Sequence, residues 1–395
     1  MSKLAIDGGK PVRARKDFLV FGAPQIEEDE IDGVVDSLRR RWIGTGSKVA
    51  AFEQAFGDYK GSPHAVAVNS CTAALHLSLL AMEIGPGDEV ITSPMTFCAT
   101  VNAILHAGAK PVLADCDPNT FNLDPMQAAR RITKRTKAIL PIHFAGRPCD
   151  MDALMKLAKA DRLRVIEDCA HAIETEYRGR KAGTFGDLGC FSFYATKNLT
   201  TSEGGMVITR RKPLADRIKR LALHGMTKDA WKRYSDSGYV HYDVVDLGYK
   251  YNMTDLQAAI GLPQLRRLES NWRRREAIWK RYQQAFADLP VDLPAEARSH
   301  ERHAYHLYTP LIRGGFKRGR DWVLGAMTAE NIGVGVHYRA LCDHPYYRRA
   351  LGWKRRDYPV ASAIGDRTVS LPLSAALSDR DVEDVITAFR KVMGK

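Results

Sequence analysis

The strongest constraint on this chain is a repeating pattern between Ala65 and Ile208. Short apolar runs alternate there with segments of helical periodicity. Ala65-Val-Ala-Val68 reads as a strand and Thr72 to Ile84 as a helix. Glu89 to Thr92 is a strand, Ala99 to His106 a helix, and Pro111 to Ala114 a strand. A helix over Pro125 to Thr133 precedes the strand Lys137 to Pro141. Another over Asp150 to Lys159 leads into the strand Arg164 to Glu167. Strand, helix, strand at this spacing predicts βαβ units: an α/β domain whose mostly parallel sheet carries helices on both faces. Ligands bind such sheets beyond the carboxyl ends of the strands, so chemistry is expected there.

Past Ile208 the pattern changes. Pro213 to His224 reads as a helix, and Asp229 to Val245 as a long aromatic and polar loop. Asp255 to Ala287 reads as one long helix, Arg-rich from Arg266, leading into a second unit. That unit mixes strand patterns (Tyr305 to Ile312, Gly333 to Tyr338, Thr368 to Leu371) with helices (Arg320 to Glu330, Ser378 to Met393), an α+β module. The expected division is an N-terminal arm over 1–23, packed on the body or on a partner subunit, a large α/β domain over 24–270 and a small α+β domain over 271–395. A length of 395 residues suits that count.

No stretch approaches the apolar length of a membrane span, and Met1 to Phe21 lacks the apolar core of a signal peptide. Seven scattered cysteines without CxxC spacing read as reduced buried thiols, not as a metal site or disulfide frame, which points to the cytoplasm. Lys plus Arg exceed Asp plus Glu by 59 to 46, a formal charge of +13 that favours anionic partners. The arginines at 266, 267, 273, 274 and 275 fall at helical intervals, as on a solvated face. With no nucleic-acid motif beside them, nucleic-acid binding is the weaker use of that charge. The turn after the first strand, Asn69-Ser-Cys-Thr-Ala-Ala74, is not the GxGxxG of a dinucleotide-binding dehydrogenase.

Several strand ends carry reactive residue types. Lys197 closes a strand of aromatic and small residues, Gly189-Cys-Phe-Ser-Phe-Tyr-Ala-Thr-Lys-Asn198, before a Gly-containing turn. A desolvated lysine there can act as an amine nucleophile, as a Schiff-base lysine must; taken alone, a surface lysine at a turn is the better reading, and only its companions change that. Asp168 ends the apolar strand of Val165-Ile-Glu-Asp-Cys-Ala-His171. It fits either a helix N-cap or a buried anion opposite a cation such as a pyridinium nitrogen. His171 could contact a cofactor ring or pack in the core. Thr72 and the amides around it could form a phosphate site or an ordinary cap, and Ser192 could add a hydrogen bond. Phe97, in Ser93-Pro-Met-Thr-Phe97, could stack on a flat ring or start a helix.

These motifs, with Glu203-Gly-Gly205 and Gly248-Tyr-Lys-Tyr-Asn-Met-Thr-Asp255, recur in an order that resembles the DegT/StrS family of sugar aminotransferases. Those enzymes depend on pyridoxal 5′-phosphate (PLP) and have the fold-type I, aspartate aminotransferase-like architecture. The resemblance runs from about Phe21 to the C-terminus. It implies that Lys197 holds PLP covalently, Asp168 pairs with the pyridine nitrogen and Phe97 stacks on the ring. It also implies that Cys71, Thr72, Ala73 and Ser192 surround the phosphate, with His171 beside the cofactor as a third catalytic residue. Asn252 would reach the phosphate of a neighbouring subunit, which implies a homodimer with shared sites. Family dehydratases replace the lysine with histidine; Lys197 is kept here, which argues for transamination.

The resemblance further implies L-glutamate as amino donor and a nucleotide-linked keto-sugar as acceptor, the latter near Trp42, Thr45, His337, Tyr338 and Arg339. His143-Phe-Ala-Gly146, Tyr249-Lys-Tyr-Asn252 and Gly335-Val-His-Tyr-Arg-Ala340 are most similar to enzymes acting at C4 of UDP-linked sugars. Gly8-Gly-Lys-Pro-Val-Arg13 is instead similar to cyclitol (scyllo-inosose) aminotransferases, the alternative acceptor class, alongside deoxysugars.

Overall fold

In the computed structural model, residues 3–14, 16–227 and 241–394 are described. The chain opens with α1 (Glu28–Arg39) and α2 (Ser47–Lys60). There follow β1 (His64–Val68), α3 (Cys71–Ala81), β2 (Glu89–Thr92), α4 (Cys98–His106), β3 (Lys110–Leu113) and α5 (Pro125–Ala129). Next come β4 (Thr136–Leu140), α6 (Met151–Ala160), β5 (Arg164–Asp168) and a hairpin of β6 (Glu176–Tyr177) and β7 (Arg180–Lys181). The strands β8 (Leu188–Ser192) and β9 (Gly205–Thr209) and the helix α7 (Lys212–Ala222) complete this half. The second half holds α8 (Asp255–Arg266), α9 (Leu268–Ala285), β10 (Val291–Asp292), β11 (Glu301–Arg302), β12 (Leu311–Ile312), α10 (Gly319–Ala329), α11 (Pro345–Leu351), α12 (Pro359–Arg367) and α13 (Asp379–Val392).

Seven strands form one sheet in the order β1-β9-β8-β5-β4-β2-β3. Only β9 runs antiparallel to its neighbours. The expected α/β architecture is therefore present. The inner strands β9, β8, β5, β4 and β2 are almost wholly buried because they are covered on both faces. Val66, Val68, Ile166, Leu188 and Val207 pack with α3, α4 and α7 on one side. On the other, Phe52 and Phe56 of α2 meet Phe191 and Phe193 edge to face.

The register lines up the site. Val68 pairs with Gly205, Gly205 with Ser192, and Cys190 with Asp168. One edge of the sheet thus carries the ends of β1, β8 and β5 side by side, with the start of β9 between the first two.

Four expectations need correction. The helix expected over Asp255 to Ala287 is two helices that meet at Arg267. Pro263, in the last turn of the first, has no N–H to continue its ladder. The arginines of this region are not a free solvated face. Arg266 pairs with Asp29, Arg267 with Glu27 and Glu30, Arg274 with Asp379, and Arg275 is buried against Glu174. The strands expected over 305–312, 333–338 and 368–371 reduce to β12 and single bridges, Tyr308 to Leu371 and Gly335 to Ser370 among them. The amides of Ala304 and His306 are taken by Gly146 and Ala145, and Pro310 has none to give. The helix after Pro125 ends at Ala129, four residues short of Thr133.

The expected loop over Asp229 to Val245 lies largely outside the described residues. The N-terminal arm packs on its own chain. Buried Glu330 accepts the N–H groups of Ala5 and Val12 and pairs with Lys391, while Arg13 pairs with Asp381 and Asp384. Those contacts occupy Gly8-Gly-Lys-Pro-Val-Arg13 structurally. All seven cysteines are free thiols, and no described helix is long and apolar enough to cross a membrane.

Candidate active site

Each strand end contributes one functional group, and the elements after the strands complete it. Lys197 lies in the turn after β8, half-buried, its N–H donating to the carbonyl of Tyr194. Burial pushes its amine down to about 8, against the pull of Cys71 and Asp168, which favour the charged form.

Asp168 is buried at the end of β5. Its Oδ2 accepts from the Thr100 hydroxyl at 2.8 Å and its Oδ1 from the Ala170 amide at 3.1 Å. Thr96 in turn donates to Thr100, at 2.8 Å. Burial pushes the Asp168 carboxyl above its ordinary value, opposed by those hydrogen bonds and by Lys197. Among the described residues no ion pair neutralises it, so a cationic ring nitrogen would supply what this carboxylate lacks. The reading of Asp168 as an N-cap fails, because no helix follows β5 directly.

Phe97 is the N-cap residue of α4 and Thr100 sits one turn on. A single helix turn therefore holds Asp168 with one residue and offers an aromatic face with another. The Phe97 ring is 58% exposed, too much for a core aromatic and fit for stacking.

The α3 N-terminus lies against the start of β9. A Cβ on Gly205 would come within 2.5 Å of the Ser70 carbonyl carbon, so only glycine allows this approach. The first turn holds Cys71, Thr72 and Ala73, and the helix dipole favours an anion there. Ser70 caps the helix by accepting from the Ala73 amide, which is therefore already engaged. Ser192 ends β8 beside Gly205, its hydroxyl accepting from the Tyr194 amide at 3.4 Å.

His171 is buried between His306, whose ring centroid is 4.4 Å away, and Tyr338, whose hydroxyl is 3.1 Å from His171 Nε2. Its Nδ1 accepts from the Ala145 amide at 3.2 Å. His306 Nδ1 and Asn198 Oδ1 are 3.0 Å apart, and Asn198 Nδ2 donates to Glu174 and to the Ala304 carbonyl. Burial, with Lys197 close by, holds both His171 and His306 well below the usual histidine value. His337 bonds Ser370 at 2.8 Å, and burial brings it down to about 3. Arg339 is exposed, its guanidinium donating to the Asp343 carbonyl.

Tyr338 thus joins the Lys197 group directly. Trp42, Thr45 and Asn252 form a second cluster. Thr45 donates to the Met253 carbonyl and accepts from Asn252 Nδ2, and Trp42 Nε1 donates to the Thr45 carbonyl. Asn252 Oδ1 is buried without a partner. Among the described residues no hydrogen bond joins this cluster to the Lys197 group.

Sequence reasoning missed Thr96, Thr100, Ala145, Glu174, Asn198, Arg275 and His306. Asn198, Thr96, Thr100 and Glu174 had a signal, as near neighbours of Lys197, Phe97 and His171, and Ala145 lies in the quoted His143-Phe-Ala-Gly146; Arg275 and His306 come from distant segments. His143, Glu167 and Cys169 also cluster, but Glu167 is filled by the amides of Gly183, Phe185 and Gly186 and by His143, whose other nitrogen accepts from Cys149. That group ties a loop to β5.

An amine of depressed basicity, an unpaired buried carboxylate, an exposed aromatic face and a helix N-terminus at one sheet edge fit the four parts of PLP: its aldehyde, pyridine nitrogen, ring face and phosphate. Comparison with known proteins agrees. A spore coat polysaccharide biosynthesis protein of Bacillus subtilis, SpsC, is 48% identical over 385 residues, 97% of this chain and 99% of that protein. The PLP form of Spr1654 from Streptococcus pneumoniae superposes with a TM-score of 0.89 at 35% identity, covering 95% of this chain and 99% of that one. DesI, solved in the presence of its TDP-sugar product, gives 0.86 at 32% identity over 98% and 95%. Residues 24–390 match the DegT/DnrJ/EryC1/StrS aminotransferase family, and the chain belongs to that family of PLP-dependent sugar aminotransferases.

Proposed function

We propose that the chain moves an amino group from L-glutamate to the keto carbon of a nucleotide-linked sugar, a UDP-4-keto-sugar in the first instance, for cell-surface polysaccharide or glycan synthesis. The observation that carries this reading is Lys197 with its lowered basicity beside the unpaired Asp168 carboxylate. The role of SpsC in spore coat polysaccharide and the TDP-sugar product of DesI support the substrate class. The net charge of +13 suits a diphosphate ligand. The segment Gly8 to Arg13, which is similar to cyclitol aminotransferases, lies in the arm, where Val12 and Arg13 are bound to Glu330, Asp381 and Asp384.

Bound PLP supplies an electron sink that makes the Cα–H of a joined amino acid acidic. The rest falls to the protein. Lys197 would hold the cofactor through Nζ, and the same Nζ, when free, would take a proton from the donor's Cα and give one back. An amine near 8 can do both at neutral pH. Asp168 holds the ring nitrogen in its charged form, with Thr100 and Ala170 fixing the carboxylate. Phe97 keeps water off one ring face. Thr72 and Ser192 bind the phosphate beside Cys71 and Ala73. Keto-sugar replaces keto acid in the second half, and the same groups work in reverse.

The protein would act as a homodimer. Leu247 is 88% exposed, Val244 and Val245 stand out beside it, and Asn252 Oδ1 awaits a donor. Trp42, Thr45 and Asn252 would then serve the partner's site.

The test is spectroscopic. Protein loaded with PLP should lose its visible absorption on adding L-glutamate, releasing one equivalent of 2-oxoglutarate, and regain it with a UDP-4-keto-sugar. Lys197→Ala should do neither. Loss without recovery by any UDP-keto-sugar would overturn the acceptor; no response to glutamate would overturn the donor.

A further inference from the structure

The tautomer of His171 decides which side chain offers a proton to the reactants. The Ala145 amide can only donate, so His171 Nδ1 accepts from it. A neutral imidazole that accepts at Nδ1 carries its proton on Nε2, and burial keeps this ring neutral. Nε2–H therefore donates to the Tyr338 oxygen 3.1 Å away. The Tyr338 proton is left without an acceptor among the described residues. Its ring lies 6.0 Å from the exposed ring of Phe97, and its hydroxyl is within electrostatic reach of Asp168. The unclaimed O–H thus belongs to the space that Phe97, Asp168 and His171 bound.

The backbone is bent to make this arrangement. Ala145 sits in the left-handed region at φ 55°, a conformation unfavourable for a residue with a Cβ. Gly146 follows at φ 95°, where a Cβ would strike Ala304 and the His171 carbonyl. The loop so formed aims one amide at His171 Nδ1 and receives the His306 amide on the Ala145 carbonyl. His306, held by Asn198, packs against the His171 ring, with centroids 4.4 Å apart. Both nitrogens of His171 are then occupied, and it has no free lone pair with which to act as a base.

We infer that Tyr338 is a hydrogen-bond donor to an oxygen of the reacting groups, either the ring oxygen of the cofactor or the oxygen of the incoming carbonyl, and that His171 is a positioning residue behind it. This rests on the PLP-dependent reading of the site. It reassigns His171, which sequence places among the catalytic residues, and gives Tyr338 a role on the chemistry as well as near the sugar.

The experiment compares wild type, Tyr338→Phe and His171→Phe, each loaded with PLP, in two measurements. The first is the pH midpoint of the visible absorption without substrate. A donor to an anionic ring oxygen lowers the proton affinity of the chromophore, so Tyr338→Phe raises the midpoint, by about one pH unit for a charge-assisted bond. The second is the single-turnover rate at which the aminated cofactor reacts with 2-oxoglutarate as probe carbonyl. If the carbonyl oxygen is the acceptor, the midpoint stays and this rate falls about tenfold or more for the loss of a charge-assisted bond. His171→Phe should move the same observable in the same direction, by less. An unchanged midpoint together with an unchanged rate in Tyr338→Phe overturns the inference. So does a His171→Phe protein that is inactive while Tyr338→Phe keeps full rate. A wild-type protein that shows no visible absorption with PLP refutes the PLP reading instead.

Discussion

The depressed basicity of Lys197 makes a quantitative prediction about how the apoprotein captures PLP. Only the neutral amine attacks an aldehyde, so the capture rate follows the neutral fraction. With a value of about 8, about a tenth of the amine is neutral at pH 7 and about nine tenths at pH 9. An ordinary lysine at 10.5 would be neutral to about 3 parts in 10,000 and 3 in 100 at those pH values. Stopped-flow absorbance at fixed PLP, with Lys197→Ala as blank, should therefore show a rise of about tenfold from pH 7 to 9, then a plateau. A rise of about a hundredfold, still climbing at pH 10, would mean that burial does not act on this amine as argued. Asp168→Asn refines the test. The carboxylate favours the charged amine while burial opposes it, so removing the carboxylate should move the midpoint below 8. A midpoint that moves up instead would refute the assignment of the two effects, whatever the amplitude.

Gly205→Ala should cost about 1–3 kcal/mol of stability and weaken PLP binding, since the new Cβ meets Ser70 and Cys71 backbone atoms at 2.5–2.7 Å; melting curves and equilibrium dialysis read the two. Arg275→Met should lower stability by about 3–5 kcal/mol in urea denaturation, because Glu174 is left buried without its ion-pair partner. Lys60, buried and donating to the Ile173 carbonyl, is pushed down to about 8 by burial. Between 8 and 10.5 the unfolded chain then holds a proton that the folded chain lacks, so stability rises with pH through that window. The urea midpoint of wild type relative to Lys60→Met should accordingly increase from pH 7.5 to 9.5; a flat or falling difference would contradict the burial of that amine.

What sequence made legible is what sits next to itself in the chain. Asp168 ends an apolar strand, while Lys197, Phe97 and the first turn of α3 lie in the segments that follow β8, β2 and β1, and the sheet register brings those strand ends together. Periodicity was enough to find the βαβ strands for the same reason: strands covered on both faces are apolar throughout. The small unit was harder. Its strand-like runs owe their apolar residues to packing around α9, α10 and α13, while the amides of His306 and Leu307 bond to Ala145 and the other runs meet only in single bridges. Hydrophobic pattern reports the first and is blind to the second.

The pairings that set protonation were not legible, and the separations explain why. Thr100 reaches Asp168 across 68 positions, His306 reaches Asn198 across 108, and Tyr338 reaches His171 across 167. None of these pairings has a local signature, because each joins elements whose proximity exists only once the sheet is built. Yet they decide the chemistry. Identical reacting residues with the Ala145 amide turned away would leave His171 free to hold its proton on either nitrogen, and Tyr338 free to donate back to it. The site would then contain the same side chains with the direction of its hydrogen bonds reversed. Residue identity places the amine, the carboxylate and the ring; one strained amide in a loop determines which of their neighbours gives a proton.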